Sequence, residues 1–554
     1  MSMTIRQRSA ALQRFTGGLN NYWDQSSIAD NELADIVNFE FSTNGALSSR
    51  PPIYTEKSSG GATIVTPVAG EAIDLIGTYV QNNGTRYIVV TTASKTWLYS
   101  ITAKTFTQIA TFKASDCAQY DNKLVLCSTT VSGGYWDGTV FTATATMPLL
   151  GGIELFQNRF FGYGVQGTTT ANTIYWSDIT TFGPSGQLTS IYSWKDSVTN
   201  NYYYVEIGTG DGQWITAIAR GYNDLVIFRN QSTYRYSYGD TPALGTMQAM
   251  QQDIGAENKW SVVKFENAHF VMSGGILYRY QNWIYYPLNA QRVDMQPSPD
   301  ATNRFEHAVS VIGRRILVSH GGYLYCYNMD TDTWARWTTT TNIAYFIGLP
   351  RSSEDRAEMA FYGVSFKTTA AASNVSDFAI FRIEDNPFSI VGSEVMSCKL
   401  KTKIYDFDSP VEWKRLYFWS ADVQSALPVK AIVYPVVLSE AAVTASWDEL
   451  SQNDNYDYIY KTWDDLSKDV ALDATYGTWD KIADATGAIE STIQNFATTK
   501  PVRAELKLNQ ALRFRRIYFE LYLNCDGTAS TSPAQIFSII PMIGAKAKIA
   551  KAAN

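Results

Sequence analysis

A short segment centred on a tyrosine recurs six times along the chain and constrains the fold more than any other feature. In each copy, a polar turn and a short apolar run precede a tyrosine with aromatic or apolar neighbours. The tyrosines lie 36, 40, 59, 44 and 47 residues apart, at Tyr99, Tyr135, Tyr175, Tyr234, Tyr278 and Tyr325. A quasi-regular spacing of about 40–50 residues, with strand-forming residues throughout, is typical of β-propeller blades.

A second marker precedes most of these tyrosines. An apolar residue is followed by an Asn, Asp or Gly turn and then by an apolar strand, in phrases that begin at Tyr120, Phe156, Tyr222, Phe265 and Val311. This is a hairpin signature, and two hairpins make one four-stranded blade. The units cover about residues 54–350, and the segments around Phe361 and Phe381 are candidates for a seventh unit. The pattern predicts a β-propeller of six or seven blades over 54–396, with a β-sandwich as the alternative for the same turn signals.

The character of the chain changes after residue 396. The phrases beginning at Trp413 and Phe514 are nearly the same, and their alternating apolar positions predict two equivalent strands of a C-terminal β-sandwich over 397–554. A small repetitive insertion, residues 446–482, carries Trp447, Trp463 and Trp479 in three Trp-Asp phrases. It holds nine acidic residues against three lysines, so it either binds a basic surface of a partner or forms a solvated loop array.

Residues 1–53 are predicted to form an N-terminal arm and a propeller-closing segment. The basic start of the chain, with Arg6, Arg8 and Arg14, indicates a flexible arm. An Asp-Asn start with apolar residues at 33, 36 and 37 predicts a short capped helix over 30–36. The alternation around Phe39 and Phe41 and the turn at 44–45 then predict a hairpin that joins the last blade and closes the ring.

Composition limits the classes of function. Charged residues make up only 18% of the chain and the net charge is −7, which disfavours a protein that grips nucleic acid through its phosphates. The five cysteines are odd in number and form no Cys-x-x-Cys pair, so free thiols are expected. The chain contains no run of about 18 apolar residues, so no membrane span is expected.

Catalytic chemistry finds little support in the sequence. His269, His307 and His320 all fall in or beside expected blade strands, without the spacing of a metal site, and no nucleophile elbow or phosphate-binding loop is present. The Asp330-x-Asp332 phrase fits a blade turn ahead of a tryptophan better than a calcium loop. We therefore expect no catalytic residues, no bound metal and no cofactor.

The N-terminal phrase, a sequence motif within residues 15–53, is the most specific motif in the chain. It contains Phe15, Gly17, Gly18, Asn20, Asn31, Glu32, Asn38, Arg50 and Pro51 in fixed spacing. This phrase resembles the opening of tailed-bacteriophage virion proteins, among them the tail nozzle (tail tubular B-like) and packaged-DNA-stabilisation proteins of short-tailed phages. The resemblance covers residues 15–53 at the level of the motif and about 54–400 at the level of the blade pattern.

The resemblance implies a structural virion protein in the phage tail, made in the host cytoplasm. Such a nozzle forms a homohexameric ring that docks on an adaptor below the portal, contacts neighbouring tail proteins or fibres, and retains packaged DNA before conducting it at ejection. The phrase residues Phe15, Gly17, Gly18, Asn20 and Arg50, and the insertion tryptophans Trp447, Trp463 and Trp479, are the candidates for partner binding. DNA would pass without tight binding, because an acidic chain repels phosphate.

Two other functions stay open at this point. A host-recognition module at the tail tip would bind cell-surface glycan, with Trp447, Trp463 and Trp479 stacking on sugar rings. A glycan-cleaving enzyme would need a clustered pair of carboxylates, and nothing in the sequence selects such a pair.

Overall fold

The structure, a computed structural model, is all-β. It describes residues 7–9, 12–13, 15–42, 46–57, 61, 64, 66–178, 193–208, 210–237, 245–295, 307–338, 345–350, 357–363, 380–384, 397–407, 414–424, 429–436, 489–493, 502–514, 516–523 and 535–545. These residues contain no α-helix, and a short 3-10 turn lies at Lys259–Ser261. No helix in this part of the chain is long and apolar enough to cross a membrane.

Seven strands precede the first blade. They are β1 (Gln7–Ser9), β2 (Leu12–Gln13), β3 (Gly18–Leu19), β4 (Glu32–Val37), β5 (Phe39–Phe41), β6 (Leu47–Ser49) and β7 (Ile53–Thr55).

Seven blades follow, each a four-stranded antiparallel unit. Blade one consists of β8 (Asp74–Val80), β9 (Arg86–Thr91), β10 (Thr96–Ser100) and β11 (Phe106–Ala110). Blade two consists of β12 (Asp116–Tyr120), β13 (Lys123–Cys127), β14 (Gly134–Trp136) and β15 (Phe141–Ala143). Blade three consists of β16 (Gly152–Phe156), β17 (Arg159–Tyr163), β18 (Thr173–Trp176) and β19 (Tyr204–Glu206). Blades four and five are β20 (Ile215–Arg220), β21 (Asp224–Arg229), β22 (Thr233–Ser237) and β23 (Thr246–Gln251); and β24 (Val262–Phe265), β25 (Ala268–Ser273), β26 (Ile276–Gln281) and β27 (Ile284–Pro287). Blades six and seven are β28 (Val309–Ile312), β29 (Arg315–His320), β30 (Tyr323–Asn328) and β31 (Thr333–Thr338); and β32 (Tyr345–Pro350), β33 (Ala357–Gly363) and β34 (Ile380–Glu384), completed by β7.

The first strand of each blade lies at the axis of the ring. Each first strand contacts the first strands of the neighbouring blades, and β32 of blade seven contacts β8 of blade one. The ring is closed in sequence as well, because β7 pairs with β34 through Ile53 opposite Ile383 and Thr55 opposite Phe381. The predicted propeller is thus present, and it has seven blades.

The sequence markers occupy equivalent places in the blades. The six repeated tyrosines all lie on the third strand of blades one to six. The second marker is the turn between the first and second strands, where Asp121, Gln157, Asn158 and Glu266 adopt positive φ angles of 47–60°. Polar residues tolerate this left-handed region better than β-branched ones, which explains the Asn/Asp bias of the marker.

A β-sandwich follows the propeller. Its strands are β35 (Cys398–Thr402), β36 (Lys414–Gln424), β37 (Val429–Val436), β38 (Ile489–Ile493), β39 (Val502–Phe514), β40 (Arg516–Leu523) and β41 (Gln535–Ala545). One sheet has the order β39-β36-β41-β6-β5, with β1 and β2 also on β41; the other runs β4-β35-β40-β37-β38. Buried side chains fill the space between them, for example Trp419 and Phe519, whose ring centroids are 5.2 Å apart.

The helix expected over residues 30–36 is wrong. The segment is the strand β4, which pairs with β35. Leu33 lies opposite Thr402 and Asp35 lies opposite Lys401, so β4 contains one extra residue relative to its partner strand at this point. This bulge places the buried Leu33 and Ile36 three residues apart on the same face, a spacing that imitates a helix.

Two further expectations for the N-terminus need correction. The start of the chain is not a free arm, because β1 and β2 pair with β41. The hairpin at Phe39 and Phe41 exists as β5–β6, but β6 pairs with β41 of the sandwich. The strand that closes the propeller is β7, immediately after the hairpin.

The Trp-Asp insertion, residues 446–482, lies outside the described residues. Its flanking strands β37 and β38 are paired, with Val433 opposite Ile489, so the two ends of the connecting segment lie at neighbouring positions of one sheet. Excision of 446–482 shortens this connection and is expected to lower the melting temperature by less than about 4 °C. Thermal unfolding of the excised chain tests this, and loss of soluble protein would contradict it.

Candidate functional site

The residues of the N-terminal phrase meet at the junction of blade six and the sandwich, which we call the joint (residues 15–50 with blade six and β35). Strand β4 lies between β31 of blade six and β35 of the sandwich, and it joins them into one continuous sheet. Val37 pairs with both neighbouring strands, in parallel with Arg336 of β31 and antiparallel with Lys399 of β35. The chain therefore connects its two large units through a strand inserted from its own N-terminus.

The glycine pair fits a narrow space beside blade six. Gly17 donates its backbone N–H to the carbonyl of Asn31, 2.9 Å away. Gly18 has a φ angle of +78°, and a Cβ atom there would lie 2.9 Å from the backbone nitrogen of Trp334. Both the backbone conformation and the close approach require glycine at position 18. The neighbouring Phe15 is buried in the core that blade six and the sandwich share.

Asn20 ties the first turn of the phrase to β4. Its side-chain amide donates to Oε2 of Glu32 at 2.9 Å, and its backbone N–H donates to the carbonyl of Leu33 at 2.9 Å. Glu32 Oε2 also accepts the backbone N–H of Ala29. These bonds satisfy a nearly buried amide and fix the path of the chain into β4.

Arg50 and Asn38 form the polar centre of the joint. The fully buried Arg50 donates through Nε to Asn38 Oδ1 at 2.8 Å, and through Nη1 to the carbonyl of Pro51 at 2.8 Å. Asn38, at φ 60°, donates its amide to Thr338 Oγ1 at 2.8 Å and to the carbonyl of Ser397 at 2.7 Å. One asparagine thereby links the N-terminal hairpin, the last strand of blade six and the start of β35.

Ion pairs cross the joint around this centre. Two arginines of blade six face two acids of the N-terminal segment: Arg336 lies 2.7 Å from Asp35, and Arg315 lies 2.8 Å from Glu40. All four side chains are partly shielded from solvent, so the pairs are screened less than pairs on an open surface. They favour one docking geometry of propeller and sandwich.

The partner-binding candidates fall into two groups. Phe15, Gly18, Asn20 and Arg50 are buried within the chain, with Gly17 partly buried, and all five belong to the joint. Partner binding by these five stays a prediction, and the contacts in hand give them a role in holding the chain together. Trp447, Trp463 and Trp479 lie outside the described residues.

A charged cavity of about 430 Å³, which we call the inner cavity, lies on the propeller axis. First strands and the 3-10 turn place Asp116, Glu154, Arg220, Lys259 and Lys264 in its wall. Lys259 Nζ lies 3.4 Å from Asp116 Oδ1. Burial raises the pKa of the Glu154 carboxyl to about 7, against the opposing effect of Arg220. This site was not predicted from the sequence, although Glu154, Arg220 and Lys264 each lie one or two positions before the residue that begins a hairpin marker.

The three histidines occupy blade strands or their edges, as expected. His307 contacts Glu257 through Nδ1 at 2.6 Å and His320 through Nε2 at 2.9 Å. Burial lowers the pKa of His269 and of His320 to about 4. In the part of the chain that the structure describes, no group of three or more His, Cys, Asp or Glu residues could hold a metal ion.

Two smaller expectations are confirmed. The Asp330-x-Asp332 phrase is the turn between β30 and β31, where Tyr327 donates its hydroxyl to Asp332 Oδ1 at 2.8 Å. The four cysteines in the described residues are free thiols: Cys117, Cys127, Cys326 and Cys398.

Comparison with known proteins gives low similarity throughout. No family model and no curated protein matches the chain. Among solved structures, it is similar to BamB from Moraxella catarrhalis, at 10% identity and a TM-score of 0.37, over 65% of this chain and 96% of that one. YCF48 from Cyanidioschyzon merolae has 12% identity and a TM-score of 0.35 over 58% and 98%, and U3-55K has 8% and 0.39 over 60% and 98%. The fold described above is established by strand pairing, and these scores add no argument about function.

Proposed function

We propose that this protein is the nozzle of a bacteriophage tail. In this proposal it is a structural subunit without catalytic activity, and six copies form a ring that docks below the portal and its adaptor. The ring retains packaged DNA, conducts it during ejection, and contacts neighbouring tail proteins or fibres in the virion. The observation that carries the proposal is that the phrase behind the phage-tail resemblance is also the phrase that builds the joint.

The joint suits a tube wall mechanically. A subunit that surrounds a pressurised channel must hold its domains in one relative position, and the joint does so with a shared sheet, a shared core and a buried polar centre. The buried Arg50 and Asn38 add specificity to that position, because shifting the domains would break the bond of Arg50 to Thr338 and the bonds of Asn38 to Thr338 and Ser397. We infer that the phrase serves to make propeller and sandwich one rigid subunit.

The surface offers edges for contacts between subunits. The outer strand of blade five, β27, exposes Ile284 and Tyr286, and the outer strand of blade three, β19, exposes Tyr204. Each of these strands has one edge without a paired strand in the described part of the chain, and such an edge with exposed aromatic residues favours association with another chain. A net charge of −7 in turn disfavours tight binding of the DNA that would pass through the ring.

The mass of the purified full chain in solution tests the proposal. We expect a species of six times the 61.8 kDa of one chain, measured by sedimentation over a range of protein concentrations. The same sample should not retain duplex DNA at physiological salt, because its charge repels phosphate. A single-chain species at every concentration, or tight DNA binding by the ring, would contradict the proposal.

A further inference from the structure

A second cavity, of about 480 Å³, lies at one end of the propeller axis, and we call it the outer cavity. It is formed where the first strands of blades three, four and five turn into their second strands. Its wall includes Gln157, Asn158, Arg220, Tyr222, Lys264 and Asn267. Arg220 and Lys264 also line the inner cavity, so these two cations stand between the two spaces.

The outer cavity is electropositive in an acidic chain. Among the described residues of its wall, two are cationic and none is acidic. His269, also in the wall, is neutral at physiological pH, because burial lowers its pKa to about 4. Within the described part of the chain, the guanidinium of Arg220 makes no hydrogen bond and no salt bridge, although its charge acts on the Glu154 carboxyl in the wall of the inner cavity. A planar guanidinium with all its donors available is the group best suited to a carboxylate or a phosphate.

The remaining wall supplies neutral polar groups and an aromatic ring. Gln157 and Asn158, at φ angles of 47° and 60°, present their side-chain amides from the first turn of blade three. Asn267 presents a third amide from the equivalent turn of blade five. Tyr222 is 88% exposed although it belongs to a short, hydrogen-bonded turn, in which Gly221 donates to the carbonyl of Asp224 at 2.7 Å. An exposed ring on a fixed turn is a stacking surface for a flat apolar face.

We propose that the outer cavity binds a monosaccharide that carries an anionic group, a carboxylate or a phosphate. The anionic group of the sugar lies against Arg220 and Lys264, and the sugar ring stacks on Tyr222. The sugar hydroxyls form hydrogen bonds with the side-chain amides of Gln157, Asn158 and Asn267. The volume accommodates a single sugar residue, and the amides both donate and accept, as sugar hydroxyls require. This site is independent of the nozzle proposal and lies on a different part of the chain from the joint.

Titration calorimetry on the full chain tests the inference with D-glucuronate, glucose 6-phosphate and neutral glucose. We expect saturable binding of at least one of the two anionic sugars and much weaker binding of glucose; the stronger of the two identifies the anion. Arg220→Gln should weaken the binding by roughly 10- to 100-fold, because a hydrogen bond to a charged group is lost. Lys264→Gln should weaken it in the same direction, and Tyr222→Ala should weaken it without changing the preference for an anion.

The charge-matched control is Lys95→Gln, on the turn between β9 and β10 of blade one and outside the wall of the cavity. It should bind the sugar as the unmodified chain does, and thermal unfolding of all four variants verifies that they are folded. Absence of binding by both anionic sugars would overturn the inference. So would equal affinity for glucose, equal affinity for inorganic phosphate, or full binding by folded Arg220→Gln.

Discussion

Deletion of residues 15–53 is expected to abolish the stable fold of the whole chain. The deletion removes β4 from the middle of a ten-stranded sheet, which leaves β31 and β35 as unpaired edges. It also removes Leu33, Ile36 and Phe39 from the core that blade six shares with the sandwich. Burying each such side chain contributes about 1.5–3 kcal/mol, so these three alone account for about 4.5–9 kcal/mol, a loss of the same order as the stability of an ordinary domain. Yield of soluble protein and thermal unfolding measure the effect.

The matched control is deletion of residues 1–13. It removes only β1 and β2, which lie along one edge of β41 and are not inserted between two units. We expect this shorter protein to stay folded with a modestly lower melting temperature. A full cooperative transition in the chain that lacks 15–53 would show that the N-terminal segment does not hold the fold together.

Replacement of Arg50 by leucine is expected to have the largest effect of any single substitution in the joint. The guanidinium is fully buried and donates to Asn38 Oδ1, to the carbonyl of Pro51 and to the carbonyl of Thr338. Leucine leaves these acceptors buried with fewer partners, and breaking such a network costs about 3–5 kcal/mol. Urea unfolding of Arg50→Leu measures the loss in the free energy of unfolding.

Two variants make this measurement specific. Arg50→Lys keeps the charge but lacks the planar fork, so it should also destabilise the protein, though less than leucine does. Arg415→Leu replaces an exposed arginine on a sandwich strand and should change the free energy of unfolding by no more than about 0.5 kcal/mol. An Arg50→Leu protein as stable as the Arg415→Leu protein would contradict the role of Arg50 as the centre of the joint.

The blade pattern was predictable because it is local and repeated. A tyrosine on the third strand and a left-handed turn after the first strand recur in successive blades, so one sequence period reports the whole architecture. The number of blades was less predictable. The seventh blade takes its outer strand, β7, from the other end of the propeller sequence, and only long-range pairing between Ile53 and Ile383 completes it.

The N-terminal segment shows where local reasoning fails. Leu33 and Ile36 have a helical spacing, yet tertiary pairing with β35 and a bulge at Leu33–Asp35 decide in favour of a strand. The sequence phrase gave Gly18 and Arg50 as candidates for partner binding, which stays a prediction, and the structure places both residues in the joint. Their placement inside the chain depends on contacts with Trp334 and Thr338, about 300 positions away, which spacing alone does not encode.

Neither cavity was predicted, for the same physical reason. Glu154, Arg220 and Lys264 belong to three different blades, and the packing of neighbouring first strands brings them to one axis. In the sequence they are single charges in apolar strands, which are more often solvent-facing residues than a site. Once the first strands are known to face the axis, the charged residues Asp116, Glu154, Arg220 and Lys264 on the first strands of blades two to five predict a polar cavity.

Electron microscopy of the purified full chain tests the central claim, that this protein is a ring-forming nozzle subunit, most directly. We expect six-fold rings with an open axial channel, in which each subunit shows a propeller and a sandwich in one fixed relative position. Isolated subunits at every protein concentration, or assemblies without an axial opening, would contradict it.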